Sequence, residues 1–311
     1  MLSRIIALSI FTAAAGVALA QDVPVSKWGS QDTIGAANNL SAEGAKASAG
    51  LVKLGKVYAL GVVTGPKTPA YPPRWSRVVV TQSNDGTGPV VGANRATAND
   101  DMLITYLGIG TQIDGFGHIG VNHVYYNGAR AQDFVTPEGV KKFGTQDIPP
   151  IVTRGVLLDM TRLLNANPLP AGRVFNRVEI DAAAQAARVR IGKGDVVLFH
   201  TGYMAATAER DAAAYIASQP GLGREGAQYL ADLGVVAIGA DTAALEVIPF
   251  EKANEPFVVH QTLLARNGVY ILENVNTAQL AADGATTFQF VLGQPRFEGT
   301  VQMVVNPIAI R

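Results

Sequence analysis

Short runs with β-strand character recur along the chain, over residues 57–63, 77–81, 155–160, 195–201, 234–240, 269–274 and 302–306. Two of them contain unbroken apolar stretches, Val196-Val197-Leu198-Phe199 and Val235-Val236-Ala237-Ile238. A strand that is apolar at every position buries both faces, the pattern of a sheet covered by helices on each side. Helical spacing is clearest over 179–188, before the turn Gly192-Lys193-Gly194, and over 224–233, closed by Gly234. The C-terminal half therefore alternates helix and strand, while the N-terminal half reads as strands and loops. The Pro-rich stretch 66–73 and the Gly-, Asn- and Thr-rich stretch 83–99 predict long loops. The pattern as a whole predicts an α/β fold with a mainly β core and flanking helices, in one domain over 21–311.

The first twenty residues do not fit that pattern. A short basic start containing Arg4 precedes an uncharged run from Ile5 to Leu19, which ends in Ala18-Leu19-Ala20 before the polar Gln21-Asp22. This is the layout of a secretory signal peptide cleaved after Ala20. The apolar run is shorter than the ~20 residues a membrane span requires. The expected location is the periplasm or the extracellular space, with no membrane attachment after cleavage. Removal of residues 1–20 leaves 24 basic against 25 acidic residues. A near-neutral chain lacks the Lys/Arg excess that phosphate neutralisation demands, which argues against nucleic acid as a partner. With 48% hydrophobic residues the chain can bury a large core, which excludes disorder. The absence of cysteine excludes disulfides and thiolate metal sites.

Candidate chemistry gathers around the histidines, which stand at 118, 123, 200 and 260. The richest segment is Gly108-Ile109-Gly110-Thr111-Gln112-Ile113-Asp114-Gly115-Phe116-Gly117-His118. If Gln112-Ile113-Asp114 is extended, its two polar side chains share one face. An amide, a carboxylate and a nearby imidazole could then meet at one cation or one substrate. The same spacing also suits a glycine-rich turn capped by Asp114, with His118 in a structural role. Further on, His260 precedes the apolar strand that ends in Glu273. A carboxylate presented by a buried strand requires a cation, an arginine or a metal unless it reaches water. His200, at the end of its own apolar strand, is a candidate substrate contact or supporting donor. Trp75 reads as a packing or interface residue and is retained as a candidate substrate contact, whereas His123 reads as a solvated loop residue. No Gly-x-Ser-x-Gly elbow is present to support a serine-nucleophile route.

These segments together resemble the cyclase family, whose members include arylformamidases (bacterial kynurenine formamidases), isatin hydrolases and a dienelactone hydrolase. The resemblance runs from the opening segment Trp28-Gly29-Ser30-Gln31-Asp32-Thr33-Ile34-Gly35 through Arg154-Gly155-Val156-Leu157-Leu158-Asp159, Lys193-Gly194-Asp195-Val196-Val197-Leu198 and Gly239-Ala240-Asp241-Thr242 to Ile271-Leu272-Glu273-Asn274. It implies a swivelling β/β/α fold and assembly as a homodimer or homotetramer. The family signature, His-x-Gly-Thr-His-x-Asp with a further His, stands here with Gly108 and Gln112 in place of its first two histidines. Asp114, His260 and Glu273 match the remaining metal ligands, with Gln112 as a weaker fourth through its side-chain oxygen. His118 matches the acid/base histidine, and Asp114 would also orient the attacking water. The implied activity is metal-dependent hydrolysis of a small amide, formamide, lactone or imide, arylformamidase-like. An oxygen-rich donor set suits Mn²⁺ better than a His-rich Zn²⁺ site would. Two other readings stand beside this one. One is a weakened member that binds a small metabolite without turnover. The other is a metal-independent lyase or dehydratase in which Gln112 hydrogen-bonds a substrate carbonyl.

Overall fold

The computed structural model describes residues 23–81, 86 and 88–311, so the signal-peptide segment lies outside the described residues. The strands used below are β1 (Val57–Ala59), β2 (Ser76–Val80), β3 (Asp101–Thr105), β4 (Gln112–Asp114), β5 (Ile151–Asp159), β6 (Val196–His200), β7 (Ala237–Ala240), β8 (Tyr270–Glu273), β9 (Thr287–Leu292), β10 (Gln302–Val304) and β11 (Ile308–Ile310). Nine of them form one mixed sheet in the order β1-β11-β9-β5-β6-β7-β8-β4-β10. Strands β5, β6, β7 and β8 run parallel at its centre. β6, β7 and β8 are buried at every position, as their unbroken apolar runs require. The expected α/β fold with a mainly β core is the fold observed.

Element ends follow local capping chemistry. The strand read over 155–160 begins earlier, at Ile151, and stops at Asp159. There the Asp159 carboxylate accepts from Arg162 N and starts a short helix, so Met160 belongs to the helix. The helix Arg177–Ala186 begins two residues before the expected start, because Asn176 and Glu179 form a capping box. The helix Arg224–Asp232 coincides closely with the expected span. The pattern did not reveal helix Ala42–Ala49, capped by Ser41, nor β9 and β11, where buried and half-buried positions alternate along short strands.

Two features of this sheet place the chemistry. The parallel strands all end on one side, bringing Glu273 to the end of β8. On β8 the sheet then turns antiparallel, adding β4 and β10 beside Glu273. No helix among the described residues is long and apolar enough to cross a membrane.

Candidate active site

Strand register assembles the site. β4 is extended, so Gln112 and Asp114 share a face while Ile113, fully buried, points into the core. Across β4, Gln112 stands opposite Glu273 of β8, and Asp114 stands opposite Gln302 of β10. Directly opposed side chains on one face interact, and these do so through hydrogen bonds. Gln112 Nε2 donates to Glu273 Oε2 at 2.6 Å and lies 3.4 Å from Asp114 Oδ1. Gln302 Nε2 donates to Asp114 Oδ1 at 2.8 Å.

The imidazole arrives from another element. A helical turn, Val258–His260, runs directly into a π-helix, Gln261–Asn267, and puts His260 over the carboxylates. Its Nε2 is 3.2 Å from Glu273 Oε1 and 3.7 Å from Asp114 Oδ2. Its Nδ1 is held by a short contact to the buried carboxylate of Glu246. That contact fixes the ring and leaves Nε2 as the nitrogen facing the cluster. Asp114, His260 and Glu273 each offer a ligand atom within 4.8 Å of the others, and all three are buried. His118 lies half-buried beside them, its ring centroid 6.3 Å from that of His260.

Burial and crowding set the protonation states of the cluster's side chains. Desolvation, reinforced by the charge of Asp114, raises Glu273 to about 7. Burial opposes charge on His260, but the carboxylates of Glu246 and Glu273 outweigh it and hold the imidazole well above its usual value. His118 moves the other way, to about 4, chiefly through burial and despite the attraction of Asp114. It is therefore a neutral imidazole at neutral pH.

The arrangement fits a hard cation. Two buried acceptors, Asp114 Oδ2 and Gln112 Oε1, have no hydrogen-bond partner. Such oxygens are costly in a core unless something electropositive meets them. Asp114, Glu273 and His260 Nε2 would hold the ion, with Glu246 bracing His260 from behind as carboxylates brace metal-bound imidazoles. Gln112 directs its amide nitrogen at the carboxylates and keeps its oxygen unpartnered. Glu246→Gln should weaken Mn²⁺ affinity by about 10–100-fold, the usual cost of losing such a partner. Calorimetric titration of the two proteins would measure the difference.

The other candidate residues lie elsewhere. His200 hydrogen-bonds Thr277 Oγ1 through Nδ1 at 2.8 Å and stands 3.5 Å from Asp241. It lines a separate cavity of about 520 Å³ with Asp159 and Arg162. Trp75 is 48% exposed and packs edge-on against Tyr106, one residue from the site-facing Arg74. His123 is an exposed loop residue in the left-handed region. Sequence reasoning missed Gln302 and Glu246. Glu246 does leave a trace, as the lone charge in the apolar run Ala244-Leu245-Glu246-Val247-Ile248.

Comparison with known proteins identifies the family. The profile of the family described as "Putative cyclase" matches residues 58–247, more than half of the chain. The chain belongs to the cyclase family. A solved structure described as a novel cyclase is similar at 25% identity with a TM-score of 0.84, covering 94% of this chain and 99% of that one. Isatin hydrolase A from Labrenzia aggregata, bound to benzyl benzoate, shares the fold at 18% identity and a TM-score of 0.62, with 84% and 94% covered. A structure described as a predicted metal-dependent hydrolase from Bacillus stearothermophilus shares it at 18% identity and a TM-score of 0.52, with 82% and 97% covered. No curated protein matches the chain. Within the family profile, the Gly108, Gln112, Asp114 and His118 segment forms one wall of the cluster. His260, Glu273 and Gln302 come from the C-terminal part beyond residue 247.

Proposed function

We propose that this cyclase-family protein is a divalent-metal-dependent hydrolase of a small amide, formamide, lactone or imide, arylformamidase-like in its chemistry. The observation that carries this reading is the buried cluster of Asp114, His260 and Glu273, with the unpartnered Asp114 Oδ2, beside a neutral His118. A bound divalent ion supplies Lewis acidity, which polarises an acyl oxygen and acidifies water. The oxygen-rich donor set favours Mn²⁺ over Zn²⁺. The protein's own part is positional. Glu246 keeps His260 Nε2 turned to the cluster, Gln302 holds Asp114 by one oxygen and leaves the other free, and Gln112 bridges toward Glu273. His118 takes the proton from the attacking water on its imidazole and returns it to the leaving nitrogen or oxygen. A cavity of about 930 Å³, lined by Met204, Tyr215 and Pro69 among others, also takes in Gly110 and Asn274, which lie close in sequence to Gln112 and Glu273. That volume suits a small organic substrate.

The test is hydrolysis of N-formyl aryl amines and small lactones by purified mature protein. His118→Ala should lower kcat by about 10²–10⁴, the usual contribution of a positioned acid/base. Wild-type activity in that variant would remove its role, and full activity in metal-stripped protein would remove the metal. One observation favours a second reading. Gln112 and Gln302 already donate to Glu273 and Asp114, so the carboxylates are partly compensated without an ion. A metabolite-binding protein without turnover would show ligand binding and no product in the same assay.

The Met1–Ala20 pattern supports export to the periplasm or beyond, and the surface supports a homodimer. β2 and β3 pair only with each other, outside the main sheet. They expose Val78, Val80, Met102, Leu103 and Ile104 at 41–62%. Strand alternation puts Val78, Val80 and Leu103 on one face of this pair and Met102 and Ile104 on the other. A lone two-stranded hairpin is marginal in water, and apolar side chains exposed on it mark an interface. The wild type should sediment as a dimer and Val78→Lys/Leu103→Glu as a monomer. A monomeric wild type, or a dimeric variant, would contradict this.

A further inference from the structure

Two hydrogen-bond donors on the loop before β2 approach the carboxylate cluster with unused capacity. Arg74, half-buried, donates from Nη1 to Gly108 O at 2.6 Å and forms no ion pair among the described residues. Tyr71 buries its hydroxyl with no partner. Burial, and then the charge of Glu273, keep that phenol protonated, so it can donate throughout the neutral range. The two are electrostatic neighbours of each other, and both influence the site: the charge of Arg74 is felt at Tyr71, His118 and Glu273.

The placement of Arg74 depends on the missing side chain at Gly108. A Cβ there would stand 2.8 Å from Arg74 Nη1 and 2.7 Å from Gln302 Nε2. The guanidinium and the carboxamide together fill the space that any larger residue would occupy. A partly buried guanidinium without a carboxylate, and a buried hydroxyl without an acceptor, are each unfavourable unless a ligand completes them. The planar fork of arginine matches the two oxygens of a carboxylate. Tyr71 packs against Tyr203, Tyr215 and Ala243, and Tyr215 also lines the 930 Å³ cavity. Tyr71 thus borders the aromatic cluster that continues into that space, while Arg74 stands around Gly108 with Gln302, the partner of Asp114.

We propose that Arg74 and Tyr71 form a carboxylate-binding subsite, so that the substrate is a small anion with an apolar body and a carboxylate apart from its scissile acyl group. The scissile group rests on the hydrolase reading above, whereas the subsite is tested by binding alone. Calorimetry on protein as purified would compare benzoate with benzamide, which matches it in shape and lacks the charge. The wild type should bind benzoate more tightly than benzamide. Arg74→Gln should weaken benzoate by about tenfold or more, as loss of a charge-assisted hydrogen bond does, and leave benzamide unchanged. Tyr71→Phe should weaken benzoate less, and Arg74→Lys should fall between wild type and Arg74→Gln. An unchanged Tm in Arg74→Gln would show that the fold is intact and the effect local. Equal affinity of the wild type for the two probes, or undiminished benzoate binding in Arg74→Gln, would overturn the proposal. If benzoate selectivity stands while no amide or lactone is hydrolysed, the catalytic reading fails and the subsite survives.

Discussion

Glu273→Gln should abolish tight metal binding and at the same time make the metal-free protein more stable. Loss of an anionic ligand should weaken Mn²⁺ by more than about 100-fold, beyond the 10–100-fold cost of losing a supporting partner. The stability gain follows from the raised ionisation of Glu273, about 7 in the folded protein against an ordinary 4.5. The folded state binds this proton more tightly than the unfolded state. Folding therefore loses stability as pH rises from 4.5 through 7, where the buried site must carry charge beside Asp114. A glutamine removes that penalty, worth on the order of 3 kcal/mol at pH 7.5 and vanishing below about pH 4.5. It can still accept from Gln112. Thermal unfolding in chelator at pH 7.5 and pH 4.5 would check the sign. A lower Tm at pH 7.5 in the variant would refute the claim that the cluster is strained without an ion.

Gly35→Ala should be strongly destabilising although it lies outside the site. Gly35 has φ of +53°, and a Cβ there would run into the Gly268 carbonyl and lie 2.6 Å from the Phe116 ring. The left-handed conformation costs an L-residue about 1–2 kcal/mol, and overpacking adds about 1–3 kcal/mol. A loss of roughly 3 kcal/mol lowers Tm by about 6–12 °C in a chain of this size. The position also bears on function. Ala36 N donates to Gly268 O at 2.7 Å, and Gly268 terminates the π-helix that follows His260. The variant should therefore bind Mn²⁺ more weakly as well as melt earlier. Scanning calorimetry and a metal titration read the two effects separately, and a Tm within 2 °C of wild type would contradict the packing argument.

How much of this was legible in the sequence depends on whether an interaction is local. The buried strands announced themselves, because a run such as Val196–Phe199 has no other stable environment. The face shared by Gln112 and Asp114 followed from strand alternation alone, and β4 realises it. Glu273 at the end of an apolar strand was visible for the same reason. Gln302 was not, since its partner Asp114 lies 188 residues away and only the β4–β10 register brings them together. Glu246 was overlooked although its isolation among apolar residues marks it. Tyr71 and Arg74 sit in a Pro-rich loop whose path no periodicity predicts. The histidines show the limit most plainly: His118 and His260 converge on the cluster, while His200, equally suggestive in sequence, turns to another cavity.

The central claim is that Asp114, His260 and Glu273 form a cation site whose geometry is already in place. Titration of Mn²⁺ into chelator-stripped protein by calorimetry, at pH 8 and again at pH 6, tests it most directly. Glu273 and His260 must shed protons before they can act as ligands. The account predicts a single saturable site per chain at pH 8, with protons released on binding and an affinity at least about tenfold weaker at pH 6. No saturable binding at pH 8, or an affinity indifferent to pH, would contradict it.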